Sequence, residues 1–242
     1  MNTPSRSAVD LQRILVSMET MRHRLIRMGV LVFLLSAGGY LLAGRTLGYL
    51  QKATGAHLVS YGVPDAFIAY IIISLAIGLA AALPFILHEV LAMVSQGFPE
   101  FSFRMRLGFW LVSVALFYLG VYFSLQITLP YGSQFLLDFE TERIKAVISV
   151  RKFIDFCLVF IFGFGLIFEL PPVMVLLGKL GLIDVEKLAG GRRYAIMVIT
   201  IVSAILTPTP DILNLALMAV PLYLLFELGI VGMRIGRKRI DT

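Results

Sequence analysis

A chain of 242 residues that is 59% hydrophobic and 15% charged, with a mean hydropathy of +0.90, is too apolar for a soluble domain, where about 45–50% apolar and about 25% charged are usual; it reads as a membrane protein. A single cysteine, Cys157, excludes an internal disulfide, a CxxC redox pair and a cysteine zinc site, and three scattered histidines (His23, His57, His88) leave little for a metal cluster. The net charge of +6 comes from short basic clusters between apolar runs, the pattern of topology determinants rather than of a nucleic-acid-binding face.

A helix crosses a hydrocarbon core of about 30 Å with about 20 apolar residues, and six runs qualify as candidate spans of one membrane domain covering residues 1–242. The first, 25–43, is entered by Arg27, which can snorkel to the interface. The second, 67–94, contains Pro84 and ends near His88 and Glu89. The third, 107–129, carries no charge and is followed by Pro130. The fourth, 153–178, holds Asp155 near one end and Glu169 well inside, with Pro171 and Pro172 directly after. The fifth and sixth, 194–207 and 212–233, flank the turn TPTPD at Thr207 to Asp211. The fifth reaches only about 21 Å at 1.5 Å per residue, so it must tilt little, extend into Arg192 and Arg193, or thin the bilayer.

Lysine and arginine in alternate segments divide 15 against 6, which by the positive-inside rule predicts an all-α integral membrane protein with six transmembrane helices and both termini cytoplasmic. The first run is expected to be a retained span rather than a cleaved signal, because its basic lead is long and five further spans depend on its orientation. No internal repeat suggests an inverted-repeat transporter. After Pro130, Phe135, Leu136, Phe139, Ile144, Val147 and Ile148 recur at near-helical spacing, which predicts amphipathic helices on the outer leaflet.

No phosphate loop and no HExxH motif are present, and no nucleophile motif unites serine, histidine and aspartate, so no catalytic residue is assigned. Glu169 is the informative residue. It lies about 14 Å from the inner end of its run, where a charge costs at least a few kcal/mol and by default marks a function; the alternative is a protonated or hydrogen-bonded glutamate joining two helices. Pro171 and Pro172 remove two helix donors, freeing carbonyls near Ile167 and Phe168. Such backbone survives at membrane depth only where protein or water covers it, which predicts a polar concavity. Glu227 is read either as functional or as an interfacial carboxylate paired with Arg234 or Lys238, and Glu89 is read similarly. Asp211 is expected to cap the sixth helix. Gly232 and Gly236 form a GxxxG pattern, a weak sign of helix dimerisation.

In this order, on six spans, the residues resemble the TatC family of twin-arginine translocase subunits, and the match covers nearly the whole chain. METMRHRLI (Met18 to Ile26) is similar to the family's HLEELRxRLI; PDAF (Pro64 to Phe67) and PFILHEV (Pro84 to Val90) to its P-x-E-A-F and P-F-I-x-x-Q. Phe117, Gly120, Phe123 and Pro130 match its third span. GLIFELP (Gly165 to Pro171) resembles G-x-x-F-E-x-P, and it is followed by GLI (Gly181 to Ile183), RRYAI (Arg192 to Ile196), AILTPTPD (Ala204 to Asp211) and PLYLLFELGI (Pro221 to Ile230).

The resemblance implies a glove-shaped six-helix receptor in the bacterial inner membrane that takes no cofactor and no metal. It implies binding of twin-arginine signal peptides at the cytoplasmic face, TatA- and TatB-type single-span partners, surrounding lipids, self-association in the complex, and export of folded proteins driven by the proton-motive force. Arginine pairs bidentately with carboxylates, so reading Arg-Arg over Lys-Lys requires acids at fixed spacing. Aligning Arg22 and Arg24 with RxRL puts Thr20 where the family has its signal-binding glutamate, with Glu19 one position earlier. GFPEFSFR (Gly97 to Arg104) puts Ser102 at the second such glutamate, with Glu100 the nearby acid. His88 and Glu89 replace an aromatic and a glutamine, and Asn214 lies near the usual glutamine of the sixth span. The expected signal-binding set is therefore Glu19, Thr20, Arg22, Arg24, Glu100 and Ser102, and the intramembrane polar site is Glu169 with Pro171. Pro84, Pro130, Thr207, Pro208, Asp211, Asn214 and Glu227 are expected in structural or partner contacts. The alternatives are a divergent TatC-like paralogue with altered recognition and a proton-coupled small-solute transporter using Glu169.

Overall fold

The computed structural model describes residues 6–55, 58–60, 62–97, 102–137, 148–206 and 212–238. Long helices dominate them: α1 (Arg6–Thr54), α2 (Val63–Gly97), α3 (Phe103–Phe123), α4 (Leu129–Leu137), α5 (Val150–Phe168), α6 (Leu170–Lys179), α7 (Val185–Gly190), α8 (Arg192–Leu206) and α9 (Ile212–Lys238). Two short strands, β1 (Leu58–Val59) and β2 (Ile148–Ser149), pair in parallel with Leu58 opposite Ile148 and Val59 opposite Ser149. Five helical stretches are long and apolar enough to cross a membrane: Arg22–Thr54, Pro64–Ser95, Phe103–Gln134, Val150–Lys179 and Met218–Gly236. The 15-residue α8 is the sixth apolar segment; at about 22 Å it falls short of a full hydrocarbon core.

Several boundaries differ from the sequence reading. α1 continues past residue 43 to Thr54, because a helix emerging into water needs no apolar residues to keep its backbone bonds. The third span does not stop at Leu129. Pro130 has no N–H for the Gln126 carbonyl and its ring crowds that turn, and the chain widens into a π-helix over Ser124–Thr128 before continuing as α4. Ile148, expected on an amphipathic helix, lies in β2, and residues 138–147 fall outside the described residues. The fifth segment does extend to Arg192.

The centre of the bundle is α5. Its buried residues Val150, Phe153, Ile154, Cys157, Phe160, Phe164, Gly165 and Phe168 recur every three or four positions, so one face stays against protein through the whole span. α5 packs on α2, α3 and α9, and α1 lies outside, mainly against α2. Small residues set these approaches, as expected where lipid gives no hydrophobic drive between helices. A Cβ on Gly78 would collide with Ser36, and one on Gly39 would fall 3.0 Å from the Ser74 carbonyl oxygen. At the α3–α5 crossing the glycines are reciprocal: a Cβ on Gly120 would lie 2.6 Å from the Phe164 oxygen, and one on Gly165 2.6 Å from the Phe117 ring. Gly229, Gly232 and Gly236 face Met174, Val175 and Lys179 of α6. The glycines of the GxxxG pattern thus let α9 approach α6 of the same chain.

Candidate functional site

The Pro171–Pro172 pair divides the fourth span. Two successive residues without N–H groups cannot continue α5, but both prolines suit the first turn of a new helix, where donors are orphaned anyway. α5 therefore ends at Phe168 and α6 begins at Leu170, with Glu169 as the joint. Its N–H returns to the carbonyls of Leu166 and Ile167, so the break covers part of its own freed backbone. The Glu169 side chain is 8% exposed, and its Oε1 has no hydrogen-bond partner. The Ser113 hydroxyl of α3, itself buried, donates to the carboxyl. Below the joint, α3, α6 and α9 enclose a groove of about 670 Å³ lined by Pro171, Pro172, Phe109, Val112, Leu116 and Leu228, with Arg104 and Lys179 supplying its charges. Glu169 is not part of that lining. Glu169 thus sits between helices in contact with Ser113, beside a largely apolar groove that it does not line.

Pro84 has a different outcome. α2 runs through it, and the Ala80 carbonyl that a residue 84 N–H would have bonded accepts from the Tyr118 hydroxyl of α3 at 2.9 Å. One turn further along the same face, the single tryptophan, Trp110, donates its indole N–H to the Pro84 carbonyl at 2.7 Å. Neither aromatic was singled out from the sequence. The signal was present in Pro84 itself, since a proline at position i always frees the carbonyl at i−4.

Two arginine–glutamate pairs join neighbouring helices. On α8 and α9, Arg192 grips Glu227 with two bonds, Nε to Oε1 at 2.6 Å and Nη2 to Oε2 at 3.0 Å, and the Tyr223 hydroxyl adds a third at 2.9 Å. Glu227 therefore pairs with Arg192 of the neighbouring helix rather than with Arg234 of its own; the Lys238 side chain lies outside the described atoms. On α1 and α2, Arg24 Nη1 lies 3.4 Å from Glu89 Oε2, with the side chains 21% and 22% exposed.

Of the expected signal-reading residues, Arg22, Arg24 and Ser102 are described, at the end of the bundle that holds the start of α3, α7 and the end of α9. Arg22 there is exposed, whereas Arg24 is turned to Glu89. Glu19 and Thr20 fall on α1 with side chains outside the described atoms, and Glu100 lies outside the described residues. Ser102 is committed to local structure: it is the N-cap of α3 and accepts from the Met105 N–H at 3.3 Å. Thr207, Pro208 and Asp211 also lie outside the described residues, and Asn214 is placed on α9 without its side chain. Among the described residues no group of histidine, cysteine, aspartate or glutamate is arranged to hold a metal.

Six apolar segments, a basic end and a carboxylate buried at a broken helix define a multi-pass helical membrane protein with an intramembrane polar joint. A family model described as Sec-independent protein translocase protein (TatC) matches residues 17–221, and the chain belongs to the TatC family. It is similar to the Sec-independent protein translocase proteins TatC of Desulforapulum autotrophicum (35% identical, covering 78% of this chain and 69% of the relative) and Azotobacter chroococcum (32%, covering 90% and 88%). Among solved structures, it resembles a crystal structure of the twin arginine translocase receptor TatC at 30% identity, with a TM-score of 0.76 over 91% of this chain and 99% of that one.

Proposed function

We propose that this chain is the receptor subunit of a twin-arginine translocase in a bacterial inner membrane. It lies with its basic end in the cytoplasm, where it reads the paired arginines of signal peptides and joins single-span TatA- and TatB-type partners to export folded proteins. The observation that carries the reading is Glu169, a carboxyl held at membrane depth with one oxygen unpartnered, in a chain whose whole fold follows that of a twin arginine translocase receptor. A carboxyl there is costly to keep, and its open acceptor is suited to a polar group arriving with a signal peptide or a partner helix. A proton-coupled solute carrier has no matching support, since the broken helix at Glu169 has no counterpart in a second half of the chain.

The neutral Thr20 and Ser102 favour a second reading, a paralogue with altered recognition, because the Ser102 hydroxyl is already engaged in capping α3. Glu19 and Glu100 are the displaced acids in the first reading. Photocrosslinking in membranes, with probes beside Glu19 and Glu100, separates the two. Adducts to an Arg-Arg signal peptide and not to its Lys-Lys counterpart are expected, and they should disappear in the Glu19→Ala, Glu100→Ala double variant. Adducts to neither peptide from the inserted protein would leave the paralogue.

A further inference from the structure

The two arginine–glutamate pairs are built to different standards. Arg192–Glu227 is a bidentate fork with a tyrosine on its flank, the geometry in which guanidinium and carboxylate bind best. Arg24–Glu89 is one contact of 3.4 Å, and the buried Nη1 that makes it satisfies no hydrogen bond. Glu89 therefore takes one poorly aligned contact from Arg24, which leaves acceptor positions that Arg24 does not fill, in a half-buried position at the basic end. The poor pair is not what joins α1 to α2. Their close crossing is set by Ser36, Gly39, Ser74 and Gly78, which on α1 begins about 18 Å further along the axis from Arg24. A brace that contributes little to packing, made from an arginine that fits badly, has the form of a placeholder.

We infer that Glu89 is a specificity-determining carboxylate that reads one arginine of the arriving signal, and that Arg24 is its internal stand-in while the site is empty. This rests on the function proposed above. The incoming guanidinium, free of a helix backbone, can align both its forks on Glu89 and exchange one ion pair for a better one. Arg24 is released toward the adjacent aqueous edge, where Arg22 is already exposed. Lysine gains little by the same exchange, since an ammonium offers no fork.

Competition and bracing predict opposite signs. Binding of a fluorescent Arg-Arg signal peptide, and of the same peptide with Lys-Lys, is measured on the full chain in lipid nanodiscs. Glu89→Gln should weaken Arg-Arg binding about tenfold and erase most of the preference over Lys-Lys, as expected for loss of a charge-assisted pair. Arg24→Gln should tighten Arg-Arg binding severalfold, because the competitor is gone. Glu89→Asp and Arg24→Lys repeat both arms with the charges kept, so that a folding defect in either neutral variant does not decide the result: Asp should retain part of the preference, and Lys should tighten binding modestly. If Arg24→Gln and Arg24→Lys both weaken binding as Glu89→Gln does, the pair is a brace and the inference falls while the receptor reading stands. An unchanged preference in Glu89→Gln overturns it equally. An unsubstituted protein with no preference for Arg-Arg would overturn the receptor reading and this inference together.

Discussion

Pro84 in α2 and the Pro171–Pro172 pair in the fourth span inflict the same kind of damage, a helix turn deprived of a donor in a medium that supplies none. Their outcomes are opposite: α2 continues to Gly97, while α5 stops at Phe168. The difference lies in the neighbour. Opposite Pro84, α3 presents a phenol and an indole, and both donate to α2 carbonyls. Opposite the Pro171–Pro172 break, the same helix packs Gly120, Phe117 and Phe123 against Phe164, Gly165 and Phe168, and its Ser113 hydroxyl goes to the Glu169 carboxyl rather than to a freed backbone carbonyl. Pro130 takes a third course, in which the chain widens into a π-turn whose closing bond runs from the Leu129 N–H to the Ser124 carbonyl. A proline in a membrane helix thus leaves it whole, breaks it or widens it according to what the adjacent helix offers at that depth. At the Pro171–Pro172 break a carboxyl is kept as well.

The largest effect is expected where the break is tested for function. Glu169→Ala should abolish export in a strain carrying this chain as its only receptor, while the inserted protein still binds signal peptide at the basic end. Glu169→Gln should keep the Ser113 hydrogen bond and lose the charge, so it separates a need for a hydrogen-bonding joint from a need for an ionisable one. Unaltered export by Glu169→Ala would make the break a structural accident, equal in kind to Pro84.

A smaller effect tests the apolar α3–α5 crossing beside the break. Gly120→Leu drives a side chain into the Phe164 carbonyl and the Phe168 ring, and overpacking of this kind costs about 1–3 kcal/mol or more. Gly108→Leu on the same helix meets open space and should be nearly silent. Thermal unfolding in detergent, followed by the fluorescence of Trp110, ranks the two. Equal destabilisation would mean that the crossing is less close than the α3–α5 glycines indicate.

The spans were legible because about 20 apolar residues in a row have few other uses, and Glu169 was legible because a charge within such a run is expensive. The ends were less so. Residues 44–54 of α1 and 130–137 beyond the third span are helical, yet hydropathy has nothing to say about a helix once it leaves the hydrocarbon. Pairings were hardest to read. Glu227 was matched to cations on its own helix because spacing along a helix is visible in sequence, whereas Arg192 stands 35 positions away and becomes a neighbour only when α8 folds back on α9. The Arg24–Glu89 contact was hidden for the same reason.

The smallest effect gives the sharpest test of why Pro84 spares its helix. Tyr118→Phe removes the donor to the Ala80 carbonyl and leaves that oxygen in an apolar setting; interhelical hydrogen bonds in membranes are worth about 0.6 kcal/mol on average and at most about 1.7, so a loss in that range is expected. Pro84→Ala returns an N–H to position 84, which can take the Ala80 carbonyl within the helix. In that background Tyr118→Phe should cost almost nothing, because the carbonyl no longer depends on α3. The coupling energy between the two substitutions, read from thermal unfolding of the four proteins, then isolates the rescue by the neighbouring helix from the packing of the ring. If the phenol costs the same with and without Pro84, the bond is incidental, and the survival of α2 must come from the Trp110 contact or from packing alone.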